Sequence, residues 1–158
     1  MNLTRPILLA ALALAPSCAT PHPAPAEQLG LKAHLEEGLI RCRNTDPERE
    51  VRFLTYQRDG DEEAYGVYGL YDAKSAMEVP RPLDGGAIAW DGVAPVAGLE
   101  RVISTTGLDS KEARALIEQH GATWFDDGLR VFFACSGEPP EGDAFASATW
   151  PVVVVDLE

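Results

Sequence analysis

The stretch that decides the fold is residues 51–71, VRFLTYQRDGDEEAYGVYGLY, in which two runs rich in β-branched and aromatic residues flank a turn. An Asp-Gly pair between two such runs is typical of a β-hairpin with a tight turn. A two-residue loop of Asp59 and Gly60 predicts that Phe53 faces Gly66 across the hairpin. The sequence therefore predicts an antiparallel sheet built around this hairpin.

Further strands are predicted downstream of the hairpin. Residues 123–125 and 129–135 flank the turn sequence Asp-Asp-Gly at 126–128, which predicts a second hairpin. Residues 152–155 are four consecutive valines, a pattern typical of a strand buried on both faces. Residues 87–90 predict a short additional strand. The C-terminal half of the chain therefore adds strands to the same sheet.

Two segments predict helices. Residues 27–37 carry leucines four positions apart and are followed by Gly38, a typical residue after a helix end. The second helix begins at Asp109, where Glu112 completes a capping box, and it is expected to end at Gly121. Together these elements predict an α+β domain, with a mainly antiparallel sheet of about five or six strands and two helices.

The composition is that of one globular domain with a strongly acidic surface. The chain has 158 residues, 46% of them hydrophobic and 24% charged, and its formal net charge is −12. Proteins that bind nucleic acid use basic surfaces to displace counterions, so this charge argues against a nucleic-acid partner. The one long apolar run lies at the N-terminus, so the sequence predicts no internal membrane span.

Residues 1–17 have the pattern of a signal peptide. Arg5 precedes nine apolar residues, 7–15, which is the length of a signal-peptide core and too short to cross a bilayer. Ser17 and Cys18 then follow, and this arrangement resembles the lipobox of bacterial lipoproteins. The resemblance implies that the chain is cleaved before Cys18 and that Cys18 carries the lipid. Since the next residue is Ala and not Asp, it also implies the outer membrane, facing the periplasm or the cell surface.

The resemblance divides the chain into three parts: a signal peptide at 1–17, a lipidated Cys and Pro/Ala tether at 18–28, and one globular domain at 29–158. Several acyl chains on one Cys hold a protein stably on a membrane. Two other interpretations stay open. Cleavage before Glu27, after a small-x-small triplet, would yield a soluble periplasmic or secreted protein. The segment would instead act as an anchor if it were not cleaved.

The three cysteines fit an exported protein. If Cys18 carries lipid, Cys42 and Cys135 remain, and an exported domain with two cysteines usually pairs them. We therefore expect a disulfide between Cys42 and Cys135. The alternatives are two buried free thiols, or a catalytic Cys activated by a nearby His. No local motif joins a cysteine to any of the three histidines.

Acidic side chains concentrate at the two predicted turns, and they are the candidate binding residues. With one tryptophan they form the predicted acidic and aromatic partner surface: Asp59, Asp61, Glu62, Glu63, Asp126, Asp127 and Trp90. Residues 59, 61 and 63 also have the spacing of the first ligands of a calcium loop. However, that loop needs Gly at its sixth position and Glu at its twelfth, where this chain has Ala64 and Leu70. We therefore predict no metal site.

The sequence contains no recognised catalytic or nucleotide-binding motif, so we predict no catalytic residue and no cofactor. The expected function is that of a lipid-anchored envelope protein with a non-catalytic binding or support domain. An acidic surface favours a basic envelope partner, which the domain would inhibit or sequester. In this it is similar to small acidic lipoproteins that block lysozymes. The alternative is an exported periplasmic enzyme, a hydrolase that uses carboxylates.

Overall fold

The computed structural model describes residues 25–46, 48–70, 76–85, 94–139, 141 and 149–157. The predicted signal peptide, Cys18 and the predicted strand at 87–90 with Trp90 lie outside these residues. In the described part of the chain, seven strands form two antiparallel sheets, accompanied by α-helices and one 3-10 turn at Pro82–Asp84. The predicted α+β class with antiparallel sheets is confirmed, although the strands divide between two sheets.

The smaller sheet has three strands in the order β1-β2-β5: β1 is Leu31–Glu36, β2 is Leu39–Asn44 and β5 is Ala76–Pro80. β1 and β2 form a hairpin whose turn is Glu37 and Gly38. Both turn residues have positive φ, 52° and 81°. Positive φ at both central positions matches the right-handed twist of the flanking strands, so this turn favours a hairpin.

The predicted helix over residues 27–37 is wrong, because most of that segment is β1. Leu31 is buried and Lys32 is exposed, so side chains alternate between the core and solvent, as in a strand. Gly30 has a φ of +72°, a conformation that favours glycine, and the backbone turns there just before β1 begins. A β-carbon at Gly30 would also lie 2.5 Å from Thr45 Oγ1.

The end of the predicted tether belongs to the domain. Residues Pro25–Gln28 form α1, a single helical turn. Ala26 is only 5% exposed and packs into the core between the two sheets. Burial of this apolar side chain means that the domain begins at least as early as α1, and not at residue 29.

The larger sheet has four strands in the order β4-β3-β6-β7. The strands are β3 at Val51–Asp59, β4 at Glu62–Leu70, β6 at Gly128–Cys135 and β7 at Val152–Asp156. β3 and β6 are central and are buried on both faces. β7 is at an edge, and its first two valines are buried on opposite sides of the sheet.

The β3–β4 hairpin is confirmed, but its predicted register is wrong by two residues. Phe53 faces Tyr68, and the turn consists of Gly60 and Asp61. Gly60 has a φ of +59°, so glycine occupies the turn position that needs positive φ. A shift of two residues keeps every side chain on its predicted face, because the side-chain period of a strand is two.

Two longer helices cover the outer face of the larger sheet: α2 is Pro95–Ser104 and α3 is Ser110–Trp124. The predicted capping box of α3 is confirmed, since Asp109 accepts hydrogen bonds from the backbone of Lys111 and Glu112, both at 2.8 Å. The helix continues past Gly121 to Trp124. The predicted strand at residues 123–125 is therefore wrong, and β6 pairs with β3 and β7 instead.

The domain thus has three layers: the smaller sheet, the larger sheet and the helices. One core lies between the two sheets and includes Phe53 and Phe133. The other lies between the larger sheet and the helices and includes Tyr56, Phe132 and Trp124. Trp124 is only 5% exposed.

Candidate functional site

Two acidic loops meet at one end of the larger sheet. The β3–β4 turn adjoins the connection from α3 to β6, because Arg58 of β3 pairs with Gly128 of β6. Six exposed acidic residues lie on these two loops, and we call them the acidic end: Asp59, Asp61, Glu62, Glu63, Asp126 and Asp127. The structure therefore brings together the acidic residues that the sequence placed on separate turns. Trp90, also predicted for this surface, lies outside the described residues.

The hydroxyl of Tyr56 links the two loops. It donates to Glu63 Oε2 at 2.9 Å and lies 3.1 Å from the carbonyl oxygen of Phe125. The ring of Tyr56 is fully buried and packs edge-on against the Phe125 ring. Burial, the hydrogen bond to Glu63 and the charge of Glu63 together raise the pKa of Tyr56 to about 12, although Arg58 lowers it. Tyr56 therefore remains a proton donor at neutral pH.

Two arginines also hold the second loop in place. Arg58 Nη1 donates to the carbonyl of Phe125 at 3.3 Å, and Arg130 Nη1 donates to the carbonyl of Asp126 at 2.6 Å. Arg58 also lies 3.7 Å from the carboxylate of Asp127. These contacts fix the backbone of the second loop, and the two guanidinium groups offset part of the negative charge of the acidic end.

Like charges are placed opposite each other at the tip of the hairpin. Asp59 and Glu62 are direct cross-strand partners. Such a pair destabilises a hairpin, so a cation bound there would relieve the repulsion. Within the described ranges, no group of three or more His, Cys, Asp or Glu side chains is arranged to hold a metal ion.

A groove of about 410 Å³ opens beside the acidic end, and we call it the end groove. Its walls combine apolar and charged side chains: Leu35, Leu157, Arg58, Arg81, Asp59 and Asp127. Leu35 is 40% exposed, and among the described residues it is one of two exposed large apolar side chains, the other being Val96. The sequence does not predict this groove, because the leucine spacing that includes residue 35 favours a helix, whereas the residue lies near the end of β1.

The predicted disulfide is absent, because Cys42 and Cys135 are both free thiols. Cys42 lies in β2 of the smaller sheet, and Cys135 is the last residue of β6 in the larger one. The sequence does not give the distance between the β-carbons of the two cysteines, and a disulfide forms only where that distance is short. Burial raises the pKa of each thiol to about 12, so both pack as small apolar residues.

A separate polar network is structural. Arg49 lies 5.4 Å above the ring of Trp150 and donates to the Ser136 carbonyl at 3.0 Å. A backbone hydrogen bond from Glu48 lowers the pKa of Asp46, and Arg49 lowers it too. These contacts tie the loop after β2 to Ser136, just after β6, and to Trp150, just before β7, away from the acidic end.

No helix among the described residues is long and apolar enough to cross a membrane. In comparisons with known proteins, no family model, no curated protein and no solved structure matches this chain.

Proposed function

We propose that this protein is a lipid-anchored component of the cell envelope whose domain binds a basic envelope protein and thereby inhibits or sequesters it, without catalysis. The observation that carries the proposal is the acidic end, where six carboxylates from two loops are exposed on a hydrogen-bonded frame. A loop backbone held by hydrogen bonds loses less conformational freedom on binding than a flexible loop does. The acidic end is therefore suited to recognition of a basic surface.

The long-range field of the protein has the same sign as the acidic end. The chain carries a formal net charge of −12, which steers a basic partner toward it and repels nucleic acid. The end groove beside the carboxylates contains Leu35 and Leu157, with Arg58 and Arg81 in the same walls. Protein interfaces commonly combine an apolar anchor with a polar rim, and this end of the domain offers both.

The position of α1 fits attachment through the N-terminus. α1 immediately precedes the first residue of β1, whereas Leu35, near the last residue of β1, lines the end groove. A six-residue strand spans about 20 Å. Since the chain enters β1 at the opposite end from the groove, an anchor before residue 25 leaves the acidic end accessible to a partner.

Metabolic labelling with a palmitate analogue tests the anchor. We expect label on the wild-type protein and none on the variant Cys18→Ala. Unlabelled wild type, or equal label on the variant, would show that Cys18 carries no lipid.

Capture from envelope extract tests the binding surface, with full-length chains immobilised at low salt. The acidic-end variant carries three neutralising substitutions: Asp59→Asn, Asp61→Asn and Glu62→Gln. The control variant removes three exposed acids elsewhere: Glu118→Gln, Glu138→Gln and Glu141→Gln. Glu63 is retained because it accepts the hydrogen bond from Tyr56.

We expect the wild type and the control variant to retain a basic protein that added salt releases, since exposed charge pairs are screened by salt. The acidic-end variant should lose it. Equal retention by all three chains would contradict the proposed role of the acidic end.

A further inference from the structure

Two open strand edges face each other across a second groove. β1 is an edge of the smaller sheet and β7 is an edge of the larger one, and among the described strands neither has a neighbour on its outer side. Residues 31–34 and 154–156 line the groove of about 440 Å³ between them, and α1, which contacts both strands, contributes Ala26 and Glu27. We call this groove the edge groove. Its volume is within the usual range of ligand-binding clefts.

The hydrogen-bond pattern shows which backbone groups of β1 point into the edge groove. Thr45 N donates to Gly30 O at 2.9 Å. The backbone N–H and C=O groups of every second residue after Gly30 therefore point toward β2. The backbone N–H and C=O groups of the intervening residues Leu31, Ala33 and Leu35 must therefore point away from β2.

The same pattern applies to β7. Leu157 N donates to Leu129 O at 3.0 Å, and Cys135 N donates to Pro151 O at 2.9 Å. The odd-numbered residues of β7 therefore pair with β6, and Val154 and Asp156 direct their N–H and C=O groups outward. Each side of the edge groove thus offers backbone donors and acceptors at the spacing of a strand.

The two edges run in the same direction. Residues 31–34 of β1 lie across from residues 154–156 of β7, and the residues that follow, Leu35 and Leu157, both line the end groove. The edge groove therefore leads toward the acidic end. A strand placed in it would run antiparallel to both edges in the more stable arrangement, with its N-terminal side at the acidic end.

The interior of the edge groove is apolar. Leu31, Ala33 and Val155 belong to the core between the two sheets or pack against it. A strand in the groove would direct alternate side chains toward this core. The occupant is therefore expected to alternate apolar with polar residues, and to be basic where it reaches the acidic end.

We propose that the edge groove binds an extended segment of the basic partner as an added β-strand between β1 and β7. The expectation that this segment carries positive charge rests on the proposed function, whereas the expectation that it pairs as a strand rests on the two open edges. A strand that pairs with both β1 and β7 needs both of its own edges free. A second copy of this chain is a poorer occupant, because each of its described strands is already paired on at least one side. Addition of a strand to an exposed sheet edge is a known mode of peptide recognition.

The first test uses a synthetic peptide of sequence KKKVTVTV and the full-length chain, with amide exchange followed by NMR. The peptide has basic residues at its N-terminal side and alternates apolar and polar residues after them. On binding, the outward amides of Ala33, Leu35 and Val154 should exchange at least tenfold more slowly. The amides of Lys32 and His34, already paired with β2, should change little. Absence of peptide binding, or unchanged outward amides, would overturn the proposal.

The second test removes hydrogen bonds one side at a time. Ala33→Pro deletes an outward N–H and leaves the donors that pair with β2. We therefore expect it to weaken peptide binding about tenfold or more. The control variant, Ala33→Ser, should bind the peptide as the wild type does. Peptides N-methylated at alternate residues leave the protein unchanged and guard against a folding defect. They should also bind at least tenfold more weakly. Equal affinity of the methylated and parent peptides would refute strand addition.

The outcomes separate the two proposals. If the acidic-end variant loses affinity but N-methylation has no effect, strand addition fails and the acidic partner surface stands. If N-methylation abolishes binding and the acidic-end variant binds as tightly as the wild type, the groove stands and the proposed function fails.

Discussion

Tyr56→Phe is the substitution that most directly tests how the acidic end is built. It removes one hydroxyl and keeps the ring that packs against Phe125 and Phe132. The hydroxyl donates to Glu63 and lies within hydrogen-bond distance of the Phe125 carbonyl, so its loss affects both loops at once. The core volume is essentially unchanged.

The magnitude follows from the partners that remain. A hydrogen bond to a charged acceptor contributes about 1.5–3 kcal/mol. After the substitution, water can solvate the exposed Glu63 carboxylate, and Arg58 still donates to the Phe125 carbonyl. We therefore expect the free energy of unfolding to fall by about 1–2 kcal/mol. For a domain of this size that corresponds to a decrease in Tm of about 3–8 °C.

The assay is urea unfolding of the full-length chain, followed by a double-mutant cycle. Tyr56→Phe combined with Glu63→Gln should cost less than the sum of the two single changes, because both remove the same hydrogen bond. The matched control is Glu62→Gln, whose effect should add to that of Tyr56→Phe. An unchanged urea midpoint for Tyr56→Phe, or additivity with Glu63→Gln, would refute the link between the loops.

Three other predictions concern the rest of the domain. Gly98→Ala places a β-carbon 2.6 Å from Tyr65 Cε2, so we expect a loss of about 1–3 kcal/mol in the free energy of unfolding, and an unchanged urea midpoint would contradict this contact. Asp109→Ala removes the cap of α3 and should cost about 1 kcal/mol by the same measurement, with no change in the shape of the folded far-UV spectrum. Cys42 and Cys135 should resist alkylation in the folded chain and both react after denaturation without reductant, whereas a mass two hydrogens short of the reduced form would indicate a disulfide.

The features predicted correctly from the sequence are local ones. The β3–β4 hairpin is encoded by two β-rich runs around a glycine turn, and the start of α3 by the capping box at Asp109 and Glu112. Each of these signals lies within a few residues. Local hydrogen bonds and backbone preferences are therefore enough to specify the hairpin and the start of α3, without tertiary contacts.

The sequence pattern of β1 fits both a helix and a strand, which is why the helix predicted there is wrong. Leu31 and Leu35 are four residues apart, a spacing that satisfies a helix face and also strand alternation. The deciding features are the positive φ values at Gly30, Glu37 and Gly38, which end the helical turn before β1 and close the hairpin after it. The burial of Leu31 against the larger sheet is a tertiary contact that periodicity does not reveal.

The acidic residues were predictable, but their arrangement was not. Asp61 and Asp126 meet at one end of the sheet because β3 pairs with β6, which lies about seventy residues later in the chain. The two grooves depend on β1 being a strand, so a helix predicted at that segment could not reveal them. Pairing between distant strands was therefore the information that the sequence lacked.

The most direct test of the central claim is the dissociation constant between the captured basic protein and the full-length chain, measured for the wild type, the acidic-end variant and the control variant. If three exposed charge pairs contribute about 0.5 kcal/mol each, their loss weakens binding about tenfold. We predict that loss for the acidic-end variant and a change of less than about twofold for the control variant. Equal affinities for all three chains, or equal losses for both variants, would contradict a specific role of the acidic end in recognition.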